Sequence, residues 1–303
     1  MIVVIGSSNT DMVIKCEHLP APGETILGGN FFMNAGGKGA NQAVAAARLN
    51  GNVSFIAKVG NDVFGRQAID LFIKENIKTE YIFIDEINPS GVALITVDVK
   101  GENCIAVAQG ANGNLSVDDI KNTEAILLDA DIIMVQLEIP IDTIEYIAAV
   151  ADQHNKKLIL NPAPACILSD DLLSKISVIT PNEKEASMLS GIQITSMETA
   201  KEAAQVLSAK GIETVIITLG KDGALLYENN EFNLIPTKKV DAVDTTAAGD
   251  VFNGALAVAL SEQKNIKDAV RFANMAASIS VTRLGAQASA PYRSESGFEG
   301  LKD

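Results

Sequence analysis

The sequence predicts an α/β fold: a mainly parallel central sheet flanked by helices on both faces, with a small β-sheet lid. Short apolar runs alternate with amphipathic helical patterns along the chain. That alternation is expected of a parallel sheet buried on both faces. Two segments interrupt it with strand, turn and strand patterns, "DMVIKCEHLPAPGETILGGNFFMN" (11–34) and "SGVALITVDVKGENCIAVAQGAN" (90–112), the second turning at "KGEN". Both lie away from the long helices and read as a separate β-layer over the strand ends, the alternative being two surface hairpins without function. The expected organisation is one α/β domain over 1–303 with the lid, about 11–34 and 90–112, inserted in it; at 303 residues a division into two globular domains is the other possibility.

The predicted core strands are "MIVVIG" (1–6), "VSFIAKVG" (53–60), "DIIMVQLE" (131–138), "KLILNPAP" (157–164), "SVITPNE" (177–183) and "TVIITLG" (214–220). Each is short and apolar and runs into turn or cap residues. Sites in such sheets lie beyond the carboxyl ends of the strands, so the residues just past each run matter most. After the first run, "SSNTD" carries Asn9 and Asp11, short polar side chains suited to gripping adjacent hydroxyls and equally ordinary in turns. Next, "NAGGKGANQAVAAARL" (34–49) drives a glycine cluster into an Ala-rich helix. There the backbone can approach a ligand closely and the helix start offers free N–H donors. A purely structural turn fits that stretch as well, and neither G-x-x-x-x-G-K-[ST] nor G-x-G-x-x-G is present.

Further along, Glu138 in "VQLEIP" ends an apolar strand before a proline, placed to meet a ligand hydroxyl or to cap the following helix. In "TPNEKEA" (180–186), Asn182 and Glu185 share a face if a helix starts there, an outer shell for hydrated Mg²⁺ on phosphates. The rival is a capping box with Thr180 or Asn182 as the cap and Glu183 or Glu185 behind it. Last, "AAGD" (247–250) puts three residues without bulk at a helix start, where N–H groups can converge on an anion beside Asp250. The helix field favours the ionised carboxylate, giving either a general base for an alcohol or a charge that complements the dipole.

Composition narrows the function. With 24 basic against 38 acidic residues and a net charge of −14, nucleic-acid and anionic-membrane binding are disfavoured. Cys16, Cys104 and Cys166 are scattered without a C-x-x-C pair or a histidine cluster, so the reading is reduced thiols in a cytoplasmic protein. No apolar run reaches the roughly 18 residues that span a bilayer, and the start lacks the pattern of a signal peptide. His18 and His154 read as surface or lid residues, and the polar stretch "YRSESGFEGLKD" as a frayed tail.

Taken together, "GGKGANQAVAAARL", "NPAPA", "ITPNEKEA", "ITLGKDG" and "DAVDTTAAGDVFNGAL" resemble, in order and spacing, the motifs of the PfkB family of carbohydrate kinases, in particular its ribose-phosphorylating branch. The resemblance runs from Val3 to about Tyr292 and implies a Rossmann-like kinase fold. It also implies ATP-dependent phosphorylation of D-ribose at O5. Ribose would be held by Asn9, Asp11, Gly37, Lys38, Asn41 and Glu138, with Asp250 as the base and the N–H groups of Ala247, Ala248 and Gly249 as an anion hole. ATP would lie along Thr218 to Gly223, including Gly220, with Asn182, Gly249 and Asn274 nearby and Mg²⁺ bridging its phosphates near Glu185, through water. The resemblance implies a monovalent cation, K⁺, held by the Asp244 side chain and groups at Thr246, Ser280, Arg283, Gly285 and Ser289. Arg283 would give only its carbonyl, because a guanidinium has no acceptor. It leaves open another sugar (deoxyribose, another furanose, a nucleoside) or a catalytically silent sugar-binding protein. Ile95 falls where some members present an aromatic side chain to the sugar, Thr246 where a branched apolar residue is common and Asn274 where some carry histidine. Exposed apolar lid faces suggest a homodimer through the lid.

Overall fold

The computed structural model describes residues 1–295. In chain order the elements are β1 (Ile2–Ile5), β2 (Asn9–Lys15), β3 (Asn30–Gly36), α1 (Lys38–Arg48), β4 (Val53–Gly60), α2 (Val63–Lys74), β5 (Ile82–Asp85), β6 (Gly91–Val97) and β7 (Asn103–Ala108). They continue with α3 (Val117–Asn122), α4 (Glu124–Asp129), β8 (Ile132–Gln136), α5 (Ile141–Gln153), β9 (Lys157–Asn161), α6 (Asp170–Leu173), β10 (Val178–Ile179) and α7 (Glu183–Ser190). The last are α8 (Met197–Ala209), β11 (Thr214–Thr218), β12 (Ala224–Glu228), β13 (Glu231–Ile235), α9 (Ala248–Ser261) and α10 (Ile266–Ser280).

A nine-stranded sheet has the order β13-β12-β11-β10-β9-β8-β1-β4-β5. Its strands from β11 to β5 pair in parallel, while β12 and β13 add an antiparallel edge. All six predicted core strands are present. The sheet is sandwiched because its strands are apolar on both sides. In β1, Ile2 and Val4 join one buried cluster, with residues of α1, α9 and α10. Val3 and Ile5 point the other way into a second cluster with residues of α5, α7 and α8. A strand whose successive side chains enter opposite cores has no polar face to show water, hence the unbroken apolar runs in sequence.

The second sheet has four strands, β3-β2-β6-β7. Its outer pairs are antiparallel, but β2 and β6 run parallel, with Asp11 opposite Ala93 and Val13 opposite Ile95. Asn9 and Asp11 thus lie inside a strand, not in a loop after β1. Being two residues apart they face the same side of this sheet. His18, paired with Glu24, and His154 are exposed, as expected. The stretch expected to fray falls, from residue 296 onward, outside the described residues.

Candidate active site

The glycine cluster is shaped by close approach. Gly37 caps α1 with φ 88°, and a Cβ there would stand 2.7 Å from the Asn9 main-chain nitrogen. Only glycine fits both constraints. The tight passage brings the start of α1 against the end of β1. There the Lys38 N–H donates to Glu138 Oε2 at 3.0 Å, and the Ser7 hydroxyl donates to the same oxygen. Glu138 therefore meets the helix start of the glycine cluster rather than capping α5, whose N-cap is Pro140.

Asp250 sits in the first turn of α9, 5% exposed. Its Oδ2 accepts from Asn41 Nδ2 at 2.9 Å and its Oδ1 from Gln42 Nε2 at 3.0 Å. Burial raises its carboxyl above the usual carboxylate range, while Lys38 and these two amide donors pull the other way. The helix field read from sequence is thus not the controlling influence; desolvation is. Asp11 is raised to about 6, chiefly by burial and then by Glu138 and Asp250, with Lys38 opposing. Lys38 stands amid these acids. Burial disfavours its charge, but Asp250, Glu138, Glu185 and Asp11 outweigh that and raise its ammonium above the ordinary lysine value.

α9 begins without a side-chain cap, at Ala247 in the left-handed region (φ 58°). Ala248 N–H donates to the Thr245 carbonyl at 3.2 Å, and the helical ladder opens with Val251 N–H to the Ala247 carbonyl at 2.9 Å. The intervening N–H groups of Gly249 and Asp250 are the orphan donors of a helix start. A Cβ built on Gly249 meets no protein atom within 4 Å. Packing does not demand glycine here; the space beside it is open.

That space is a cleft of about 170 Å³ which Lys38, Ala247 to Asp250, Glu185, Asn182 and Thr218 help to line. Asn182 and Glu185 form a reciprocal capping box, each side chain accepting the other's N–H at 2.9 Å. The capping reading holds, and the same residues still face the cleft. Burial raises the Glu185 carboxyl, against the Asn182 N–H and Lys38. Gly220 and Gly223 shape the turn after β11, whereas Asn274 donates to the carbonyl of Ile235, the last residue of β13, at 2.9 Å. These three are not among the lining residues.

Of the residues expected around a cation, Asp244, Thr246 and Gly285 are joined by hydrogen bonds. Asp244 accepts from the N–H groups of Thr246 and Gly285, both at 2.9 Å, tying two loops together. Burial opposes its charge, yet these donors hold its carboxyl below the usual range. The buried Ser280 and Ser289 hydroxyls donate to Ala277 and Ala286 carbonyls, and the Arg283 guanidinium pairs with Glu295.

Three contributors were missed from sequence, one of them Gln136, whose amide donates to Gln42 Oε1 at 2.7 Å. Asn112 exchanges both amide bonds with the Ser8 backbone and donates to Asn9 Oδ1 at 2.8 Å, which fixes which end of the Asn9 amide is engaged. Gln42 stood unremarked inside the glycine-cluster helix. Its place one residue after Asn41 was the available signal.

Buried carboxylates around one lysine, a glycine-opened helix start and a cleft at the strand ends define a site for transferring an anion to a hydroxyl. A family model described as pfkB family carbohydrate kinase matches residues 1–293, and the chain belongs to that family. It is a phosphotransferase acting on a sugar. Among similar proteins, a ribokinase of Haemophilus influenzae is 45% identical over 294 residues, covering 97% of this chain and 96% of its own. A ribokinase structure from Thermotoga maritima superposes with TM-score 0.90 at 42% identity, covering 99% of this chain and 98% of the other. The Arabidopsis thaliana ribokinase, solved with ribose and ATP, has TM-score 0.91 at 32% identity over 100% of this chain and 98% of that one.

Proposed function

We propose that this carbohydrate kinase transfers the γ-phosphoryl group of ATP to O5 of D-ribose. The observation that carries it is the pairing of a buried, amide-held Asp250 with an open, capless helix start one residue away. Asn9, Asp11, Lys38 and Glu138, with the Gly37 backbone, hold the sugar; Asn41 acts through its bond to Asp250. Asp250 accepts the proton of the O5 hydroxyl as that oxygen attacks. Burial supports this role, since a carboxylate whose pKa is raised is the stronger base. Of the expected anion hole, the Gly249 N–H is an orphan donor and the Ala248 N–H would have to leave the Thr245 carbonyl to join it; with the Ala247 N–H they stabilise charge developing on the phosphoryl oxygens, each donor worth about 3 kcal/mol. An acidic protein thus binds a polyanion through local dipoles rather than net charge.

ATP lies against Asn182, Thr218 and the start of α9, with Gly220, Gly223 and Asn274 supporting the nucleotide side. No cluster of three or more acidic, histidine or cysteine side chains suited to a metal is present among the described residues. Mg²⁺ would be held mainly by the nucleotide phosphates, with Glu185 reaching it through water, and would supply charge neutralisation there. For K⁺, the donors are oxygens with a single carboxylate: Asp244, the hydroxyl or carbonyl oxygens of Ser280 and Ser289, and carbonyls at Thr246, Arg283 and Gly285. Such a set suits a large monovalent ion.

The small sheet is read as a lid whose Asp11 face covers the sugar. Both of its faces are apolar: Phe32, Ile105 and Val107 share parity with Asp11, while Phe31, Met33 and Leu94 lie on the opposite face. All six are exposed. A second copy of the chain covering the face opposite Asp11 would bury Phe31, Met33 and Leu94. The expected light-scattering result is therefore a dimer; a monomer at working concentration would overturn that reading. Free Cys16, Cys104 and Cys166 support work in the reducing cytoplasm.

The deciding assay combines the protein with ATP, Mg²⁺ and a sugar panel and follows ADP release in potassium, sodium or bulky-cation buffer. Release should require ribose and be fastest in potassium. No ribose-dependent signal would sink the function, and equal rates in all buffers would remove the cation.

A further inference from the structure

We infer that Gln42 is a positioning residue for phosphoryl transfer, the keystone of a buried ring of neutral groups that holds the Asp250 carboxylate and ties it to the anion-hole turn. This rests on the reading of Asp250 as the base. Gln42 lies on α1 and is fully buried. Its Nε2 serves Asp250 Oδ1 at 3.0 Å and Asn161 Oδ1 at 3.1 Å. Because an ionised carboxylate only accepts, the amide must turn its NH₂ end toward it. Its Oε1 then accepts from Gln136 Nε2 at 2.7 Å, so Gln136, at the end of β8, fixes the amide from behind.

From Asn161 the chain of bonds runs on and closes. Asn161 donates to the Thr180 carbonyl at 3.3 Å, the Thr180 hydroxyl to Asn253 Oδ1 at 2.6 Å, and Asn253 Nδ2 to the Gly249 carbonyl at 2.8 Å. The ring starts at Asp250 and ends on the residue before it, through α1, β9, the end of β10 and α9. Base and anion hole are thereby braced as one body.

The cost identifies what the ring is built for. Asn41 Oδ1 and Gln136 Oε1 are both buried and find no hydrogen-bond partner among the described residues. Both belong to amides turned donor-first, Asn41 directly onto Asp250 and Gln136 onto Gln42. Leaving buried acceptors unmet is unfavourable. Amides freed from that orientation would turn to satisfy them, so the donor-first arrangement points to an anion at position 250. The charged groups facing Asp250 come from the other elements: Lys38 on α1, Glu138 after β8, Asp11 on β2 and Glu185 on α7. Of these only Lys38 favours the ionised form, so removing the Gln42 donor shifts the balance toward protonation.

The test is the pH dependence of kcat at saturating ribose and ATP. Gln42→Leu should lower kcat at pH 7 by about ten- to a hundredfold and move the acid limb up by about one pH unit, with the ribose KM within about threefold. Gln136→Leu should shift the limb the same way by less, since its side chain touches Gln42 and not Asp250. The double variant should be no worse than Gln42→Leu alone, because Gln136 acts only through Gln42. An unmoved acid limb in both single variants, or effects that multiply in the double, would overturn the inference. If Gln42→Leu does not fold, Gln136→Leu carries the test. Full turnover by Asp250→Asn would instead remove the base reading; a silent Asp250→Asn with unshifted glutamine variants removes only this one.

Discussion

Asp250→Asn is expected to bind ribose within a few-fold of the original protein while turnover falls by about 10²- to 10⁴-fold, the range lost with a general base. The size difference is nil, so the cleft keeps its shape. The amide can still accept one bond, from Asn41 or Gln42. Its NH₂ end, however, would meet the other donor, and an amide cannot take a proton from a hydroxyl at neutral pH. Calorimetric ribose binding and steady-state ADP release separate the two effects. Turnover within tenfold of the original would show that the proton leaves by another route. The pH dependence has a defined sign. Asp11 and Asp250 both have raised carboxyls, Asp11 to about 6. Sugar-dependent kcat/KM should therefore be full at higher pH and be lost as pH falls through about 6, where Asp11 takes up its proton, with the raised Asp250 carboxyl acting in the same direction.

The strands and motifs legible in sequence are those governed by local patterns. β1, β4, β8 and β9 are mostly apolar runs because both faces are buried, and that is a one-dimensional signal. The antiparallel β12–β13 edge was missed, although its turn, Asn229 and Asn230 at φ 51° and 62°, carries the Asn residues that tolerate such angles. β5 is a four-residue edge strand with one buried position, too short for a pattern. The parallel pairing of β2 with β6 depends on a contact between residues about eighty apart and has no local signature. The site divides in the same way. Asp250, Glu138 and Lys38 announce themselves by charge beside glycine or at strand ends. Gln42, Gln136 and Asn112 are neutral amides within ordinary helix, strand and turn text, and their roles come from which end of the amide faces which partner. Only the assembled fold determines that.

Gly249→Ala separates stability from chemistry more sharply than any other substitution in the site. Gly249 is in the first turn of α9 without a positive φ, and its added methyl would touch no protein atom. Alanine should leave the thermal midpoint unchanged or raise stability by about 0.4–1 kcal/mol, because glycine is the poorer helix former and loses more freedom on folding. The methyl would nevertheless stand in the space where the transferred phosphoryl must approach the orphan N–H groups. Turnover should fall about 10²- to 10³-fold, comparable to losing one donor of an oxyanion hole. Gly37→Ala gives the contrast. There the methyl would stand 2.7 Å from the Asn9 nitrogen at a φ of 88°, so stability and activity should drop together. A Gly249→Ala protein that melts normally and turns over at the original rate would mean that no phosphoryl group passes beside residue 249. The openness at the start of α9 would then need another cause.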